Sequence, residues 1–320
     1  MENNVGSIHW MHGLQEYFTF MGETKIADLC SDFLKVLYSE NKAHTLRNVC
    51  TESMPEKIDK LSVYNLLNFF AHTANSQDNM KLDEISSALS VLFADESVLK
   101  TISKFYRETE YDLSDAFSRG QVQSKIWLTE ELAKVGTNYD VVYHLGGWYG
   151  QLTWYFKNRI EFTKYRNFDI DPAACKVSDS IVNLQYLDGY KVKAVEIGLP
   201  MKSSTDEEKN MAWIARTGCE YPIKNFGTGA EFKEKTQPDL IINTSAEHMP
   251  SIWFDKFVNR PQTTDPLFVI QSNNLFDAEG HVNCVHSIEH MLKKFPLSRL
   301  EYGGEIQLTG YKRFMVIGRP

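Results

Sequence analysis

Between residues 140 and 150 the chain reads Asp-Val-Val-Tyr-His-Leu-Gly-Gly-Trp-Tyr-Gly, and one strand further on it reads Arg166-Asn-Phe-Asp-Ile-Asp-Pro172. The first run is an apolar stretch broken by glycines, and the second ends on carboxylates. Gly146 and Gly147 lack side chains, so a strand through Leu145 can turn sharply there and admit a ligand close to its backbone. An acid about 20 residues beyond such glycines commonly accepts ribose hydroxyls, which makes Asp169 the candidate for that role. The spacing is the skeleton of a nucleoside-binding site. Glycines alone would mark only a tight turn; the carboxylate one strand later gives them weight.

A site of this kind needs a parallel sheet behind it, because ligands of open α/β sheets lie beyond the carboxyl ends of the strands. From residue 139 onward short β-rich runs alternate with helical stretches. The expected strands are Val141–Leu145, Tyr165–Ile170, Lys191–Ile197, Leu240–Asn243 and Leu267–Gln271, with Pro172–Leu187 and His281–Phe295 among the helices that follow them. Arg299–Leu308 and Tyr311–Ile317 are joined only by Thr309-Gly310, a link too short for a parallel crossover and right for a hairpin. Residues 200–235 break the alternation with a polar run, Met201–Lys209, and a glycine-rich one, Asn225–Gly229. They read as an insertion between the third and fourth strands, either a lid near the ligand or a plain surface excursion.

Residues 10–135 carry helix-period apolar sets such as Leu29, Phe33, Leu34, Leu37, then Leu61, Tyr64, Leu67, then Leu89, Leu92, Phe93. Breaks near Met54-Pro55 and Asn75–Asn79 divide them into several helices. The aromatics Trp10, Tyr17, Phe18, Phe20, Phe69 and Phe70 read as packing residues. The expected organisation is an all-α domain over 1–135 and an α/β domain over 136–320, whose mostly parallel sheet closes on an antiparallel hairpin. With 320 residues and a 42% hydrophobic fraction, the chain can bury a core in each.

The formal charge of −8 is uneven. Residues 1–130 hold 12 Lys and Arg against 19 Asp and Glu, a net −7, which leaves 22 against 23, a net −1, for the remainder. A duplex-binding protein normally presents a basic face. Neither half has a basic excess, although folding could gather Lys233, Lys235, Lys312 and Arg313 into a patch. Duplex nucleic acid is not indicated as a partner. No apolar run approaches the roughly 20 residues that span a bilayer, and the first residues lack a signal-like core, so the expectation is a cytoplasmic protein with no membrane segment. Cys30, Cys50, Cys175, Cys219 and Cys284 form no CxxC pair, which argues against a disulfide framework or a thiolate zinc cluster.

Five β/α units closed by a terminal hairpin resemble the class I S-adenosylmethionine-dependent methyltransferases, a Rossmann-like family, over roughly residues 137–320. His144-Leu-Gly-Gly-Trp-Tyr-Gly150 stands where that family has an acid and then a glycine-rich loop against the methionine part of the cofactor. Phe168-Asp-Ile-Asp-Pro172 resembles the ending of its second strand. The resemblance implies S-adenosylmethionine as cofactor, held by His144, Gly146, Gly147, Trp148, Gly150 and Asp169, with Asp171 capping the next helix. Pro238–His248 resembles the fourth strand and catalytic loop, and Phe268–Asn274 the fifth strand.

Three departures stand out. His144 replaces the usual acid, so a neutral imidazole would have to accept a hydrogen bond in its place. Trp148 replaces the loop's middle glycine, so the loop must route differently or lay the indole beside the cofactor. The Asn/Asp-Pro-Pro-aromatic motif of enzymes that methylate exocyclic base amines is absent, since Asn243 is followed by Thr-Ser-Ala-Glu-His.

A nicotinamide dinucleotide is the chief rival ligand, because the glycines and Asp169 would serve its ribose too. Trp148 opposes it: that fingerprint needs a second glycine where the backbone meets the pyrophosphate. For methyl transfer the candidates are Asn243 as a hydrogen-bonding group, His248 as base and Glu247 as its orienting partner or a binder of a substrate amine. The structural reading of the last two is a helix cap and its packing neighbour. A small-molecule or protein acceptor is favoured, with a partner protein conceivable at the acidic N-terminal domain. A degenerate fold serving as a binding or assembly module is the alternative.

His281, Cys284, His286 and His290 invite a metal. On a helix, however, Cys284 and His286 would point about 200° apart. The expectation is that the chain holds none.

Overall fold

A computed structural model describes residues 7–38, 116, 118–182, 192–196, 220–224, 230–258 and 265–320. The chain divides into two compact units, Met1–Ile126 and Trp127–Pro320. In the first, α1 (Ser7–Met21) and α2 (Thr24–Tyr38) form a helical hairpin. Gly22 ends α1 at φ +81°, its N–H bonded to Thr19 O, while Glu23 N–H reaches back to Phe18 O. Those two bonds satisfy carbonyls that the helix end leaves open. Leu29, Phe33 and Leu34 of the expected apolar set are buried, as are Tyr17 and Phe18. The sets at 61–67 and 89–93 lie outside the described residues. A third helix, α3, runs over Arg119–Val135.

The second unit is built on a seven-stranded sheet. Its strands are β1 (Asn138–Leu145), β2 (Glu161–Asp169), β3 (Val192–Glu196), β6 (Leu240–Asn243), β7 (Leu267–Asn273), β8 (Arg299–Leu308) and β9 (Tyr311–Arg319). They lie in the order β3-β2-β1-β6-β7-β9-β8. The first five are parallel, and β9 runs antiparallel to both β7 and β8. Thr309-Gly310 closes the final hairpin, with Gly310 at φ +86°. The chain therefore works outward from β1 to β3 and then returns to the other side of β1. The strand order reverses between β1 and β6, and such a reversal opens a crevice beyond the carboxyl ends of the two strands.

Both faces of the sheet are covered, which is why β6 and β7 are buried at every position, without alternation. On one face Tyr143, Leu145, Phe168, Ile241 and Phe268 pack with Trp253 and Phe254 of α6 (Ile252–Val258) and Met291 of α7 (Ile288–Lys294). On the other, Val142, Tyr165, Ile242 and Val269 meet Trp127, Leu128 and Leu132 of α3 and Leu152 and Phe156 of α4 (Leu152–Phe156).

Two expectations change. The insertion contains an antiparallel ribbon, β4 (Glu220–Lys224) with β5 (Glu231–Lys235), and its Tyr221 packs on Tyr143 and Phe168. Glu234 holds it to the sheet through Arg166 and Lys164. These described residues cover the face of the sheet instead of forming a lid over its carboxyl rim; 200–219 and 225–229 lie outside the described residues. The helix expected at His281–Phe295 occupies only Ile288–Lys294. Its start is set by Ser287, whose hydroxyl accepts the N–H of His290. The N–H groups of Val282, Asn283 and Val285 bond to Glu247 O and Asn273 O, so they are unavailable to a helix. Among the described residues no helix is long and apolar enough to cross a membrane. Cys30, Cys175 and Cys284 are buried free thiols.

Candidate functional site

The glycine loop rises from β1 and turns back across the end of β2. Gly146 (φ +63°) and Gly147 both donate their N–H to Phe168 O, at 2.8 and 3.3 Å, and Gly150 (φ +69°) donates to Gly147 O at 2.9 Å. Trp148 lies at φ +50°, a conformation that costs an L-residue about 1–2 kcal/mol. Two side chains of β2 hold it there: Asp169 Oδ2 accepts the Trp148 N–H at 2.7 Å, and Asn167 Nδ2 donates to the Trp148 carbonyl at 2.8 Å. The tryptophan thus takes a backbone shape that glycine ordinarily supplies. Its indole stacks on Tyr149, with ring centroids 4.0 Å apart.

Asp169 is only 9% exposed. Burial raises its carboxyl pKa, against the pull of N–H bonds from Asp171 and Trp148. Oδ1 accepts the Asp171 N–H at 3.0 Å. An ionised carboxylate has about four acceptor sites, and with backbone N–H bonds from Asp171, Trp148 and Ile170 it retains capacity for a further donor. Asp171 caps α5 (Pro172–Val182) by accepting the Ala173 N–H at 2.8 Å, with Pro172 in the first turn. Ile170, between the two acids, is 62% exposed.

His144 lies beneath this loop. Its Nδ1 meets the Tyr165 hydroxyl at 2.7 Å and its Nε2 the Thr244 hydroxyl at 2.9 Å. Buried and engaged at both nitrogens, it braces β1 to β2 and to the loop after β6, and neither nitrogen is left to accept from a cofactor ammonium. Gly147 sits on it so closely that an added Cβ would lie 1.8 Å from Asn167 Oδ1 and 2.5 Å from His144 Nδ1.

The loop after β6 begins at Asn243, which is fully buried. Its side chain accepts the Ser245 N–H at 2.9 Å and donates to Met249 Sδ at 3.2 Å. This fixes the turn that carries Glu247 and His248. Ser245 Oγ donates to Gly146 O at 3.1 Å, so the two loops flanking the crevice are bonded to each other.

Glu247 and His248 occupy a 3-10 turn, Ala246–His248. Glu247 is 3% exposed; its Oε1 accepts from Asn273 Nδ2 at 2.8 Å and lies 3.5 Å from Arg313 Nη2, while its Oε2 is buried without a hydrogen-bond partner. Antiparallel pairing sets Asn273 of β7 opposite Arg313 of β9, which is how both reach the same carboxylate. Arg313 also bonds Thr244 O, and it is buried. It therefore belongs to no surface basic patch. His248 is exposed, with Nδ1 3.3 Å from Gly280 O. His281, on the loop after β7, sets Nδ1 2.8 Å from Leu275 O, and the two imidazoles meet edge to face with centroids 4.5 Å apart. A ligand atom from each of Glu247, His248 and His281 lies within 4.8 Å of the other two.

The carboxyl rim thus gathers Gly146, Gly147, Trp148, Gly150 and Asp169 at β1 and β2, and Glu247 and His248 after β6. Asn243 and His144 lie below it as supports. Sequence reasoning missed Asn167, Asn273 and Arg313. Of the residues grouped with His281 by spacing, Cys284 lies beside it, whereas His286 and His290 stack on each other, their centroids 5.5 Å apart, and His286 stacks on Phe276. The only available signal was the polar ending Gln271-Ser-Asn-Asn274 on an otherwise apolar strand.

Strand order and glycine loop together define a Rossmann-like α/β protein with a terminal antiparallel hairpin. Solved structures similar to the chain include the N-methyltransferase NodS of Bradyrhizobium japonicum in complex with S-adenosyl-L-homocysteine. It is 10% identical, covering 70% of this chain and 97% of that one, with a TM-score of 0.41. Another is a SAM-dependent methyltransferase of Aquifex aeolicus, 12% identical over 60% of this chain and 88% of that one, with a TM-score of 0.38. No family profile matches the chain, and no curated protein matches it in sequence.

Proposed function

We propose that the second unit binds S-adenosylmethionine at the glycine loop and Asp169 and transfers its methyl group to a small-molecule or protein acceptor. The observation that carries this reading is the hydrogen-bond state of the loop. The N–H groups of Gly146, Gly147, Trp148 and Gly150 are all engaged within the protein. A dinucleotide pyrophosphate needs such donors free. S-adenosylmethionine has no phosphate, and it needs what the site still offers: acceptor capacity on Asp169 for the ribose diol and the exposed Ile170 as an apolar face for a base.

Methyl transfer from a sulfonium is a direct displacement, so the protein's task is to align the nucleophile with the methyl and to take up a proton where the acceptor has one. His248, exposed on the rim, is assigned that proton. Glu247 is held by Asn273 and Arg313 and positions its neighbours, and Asn243 shapes the turn that presents them. The net −7 of residues 1–130 favours an acceptor or partner other than duplex nucleic acid, which would be repelled at low salt.

The test is isothermal titration of the full chain with S-adenosylmethionine and, separately, with a nicotinamide dinucleotide. Binding of the first is expected. Removing the carboxylate in Asp169→Ala should weaken it by about 1.5–3 kcal/mol, the range for a hydrogen bond to a charged group. Equal affinity in a folded variant would remove Asp169 from the site. Binding of the dinucleotide alone would install the rival, and binding of neither would leave the fold as a non-catalytic module.

A further inference from the structure

We propose that Glu247, His248 and His281 bind a divalent first-row transition-metal ion on the carboxyl rim, between the loops that follow β6 and β7. The first ground is the carboxylate. Glu247 is 97% buried, yet its Oε2 has no hydrogen-bond partner, whereas its Oε1 is fixed by Asn273 and Arg313. Buried carboxylate oxygens are ordinarily bonded, and one without a partner needs a reason. A cation supplies it.

The second ground is the state of the imidazoles. Each presents Nδ1 to a backbone carbonyl, His248 to Gly280 O and His281 to Leu275 O. A carbonyl only accepts, so Nδ1 carries the proton in both rings, and in the neutral ring Nε2 carries the lone pair. Metal-binding histidines are oriented in this way, with one ring nitrogen donating to a carbonyl while the other takes the metal. The three groups therefore share one design: each has one atom held by a neighbour and one left over.

Geometry permits the three to close on an ion. One carboxylate oxygen of Glu247 and one ring nitrogen of each histidine lie within 4.8 Å of one another. Ligands at about 2.0–2.2 Å from a common ion stand roughly 3–3.5 Å apart, so the cluster must contract by an ångström or so. The exposed side chain of His248 is free to make that adjustment. Two imidazoles and a carboxylate suit zinc, manganese, iron or cobalt rather than calcium or magnesium, which take all-oxygen shells. Three protein ligands leave coordination positions open to water or to an oxygen of another molecule; with the ion bound, His248 Nε2 is a ligand, so the proton-accepting role proposed for it belongs to the ion-free protein. Cys284, with Sγ 3.5 Å from His281 Nδ1, lies on the carbonyl side of that ring and is outside the ligand set.

The experiment uses the full chain, stripped with a chelator and titrated with Co2+ while visible absorption is recorded, and with Zn2+ in a calorimeter. One ion per chain is expected, with the d–d bands of a site containing nitrogen and oxygen ligands. His248→Ala and His281→Ala should each weaken binding at least tenfold, and His286→Ala, which alters a nearby histidine outside the cluster, should not. Because Glu247→Gln also disturbs Arg313, the exposed His248→Ala carries the decision, with its thermal unfolding compared to wild type. The proposal is overturned if the stripped protein binds no ion at submillimolar concentration. It is equally overturned if His248→Ala and His281→Ala bind as wild type does, or if the loss follows His286 instead. None of these readouts depends on methyl transfer or on S-adenosylmethionine.

Discussion

Replacing Glu234 by Gln should destabilise the second unit by about 3 kcal/mol. The Arg166 side chain is 2% exposed and donates Nε to Glu234 Oε2 at 2.5 Å and Nη2 to Oε1 at 2.8 Å. Lys164 and the Tyr221 hydroxyl donate to the same carboxylate at 3.1 and 3.0 Å. Burial by itself would raise the carboxyl pKa, but the hydrogen bonds and charge of Arg166, aided by Lys164 and Tyr221, outweigh it and hold the group at about 2, against an ordinary 4.5. A depression of that size corresponds to roughly 3 kcal/mol at neutral pH. The variant leaves a buried guanidinium without its counter-charge, a loss of about 3–5 kcal/mol in comparable pairs. The partial exposure of Glu234 and Lys164 places this case at the low end.

Because the folded pKa lies below the unfolded one, the stabilisation is fully present above pH ~4.5 and disappears as the pH falls through about 2. Urea unfolding followed by tryptophan fluorescence, which reports on the buried Trp154 and Trp253, measures it. Wild type and variant should differ by about 3 kcal/mol at pH 7 and converge near pH 2. A difference under ~1 kcal/mol at pH 7, or one unchanged at pH 2, would refute the claim that this pair fastens the β4–β5 ribbon to the sheet.

Gly147→Ala should cost about 3 kcal/mol, because the new methyl would overlap Asn167 and His144, both buried and each held by hydrogen bonds; urea unfolding checks it, and a loss under ~1 kcal/mol would mean that the loop can shift aside. His248→Ala, at an exposed position, should leave urea stability within ~0.5 kcal/mol and S-adenosylmethionine affinity within about twofold, while lowering turnover about 100-fold, as expected for a lost proton acceptor. The acceptor for that assay comes from screening cell extracts with methyl-labelled cofactor, and unaltered turnover would remove His248 as the proton acceptor.

The elements with local signatures were legible in the sequence. β6 and β8 fall within the residues expected, and the glycine turn after β1, the carboxylate at the end of β2 and the Asp171 cap on α5 follow from steric and hydrogen-bonding preferences that act over a few residues. The closing hairpin was equally plain, since a two-residue link admits no other connection. The helix before Phe295 was overextended, because the backbone N–H groups of Val282, Asn283 and Val285 are claimed by carbonyls on other loops, and no local pattern reports that. Trp148 could be recognised as an anomaly, but its left-handed backbone exists only because Asn167 and Asp169 of the neighbouring strand hold its peptide. The cluster of Glu247, His248 and His281 was decided by tertiary structure alone. Its members come from two loops that meet because β6 and β7 are adjacent in the sheet, and the register of β9 against β7 brings Arg313 to Glu247. Polar contacts of this kind are short-ranged and direction-dependent, so they are fixed by strand pairing between distant segments and leave no periodicity in the sequence.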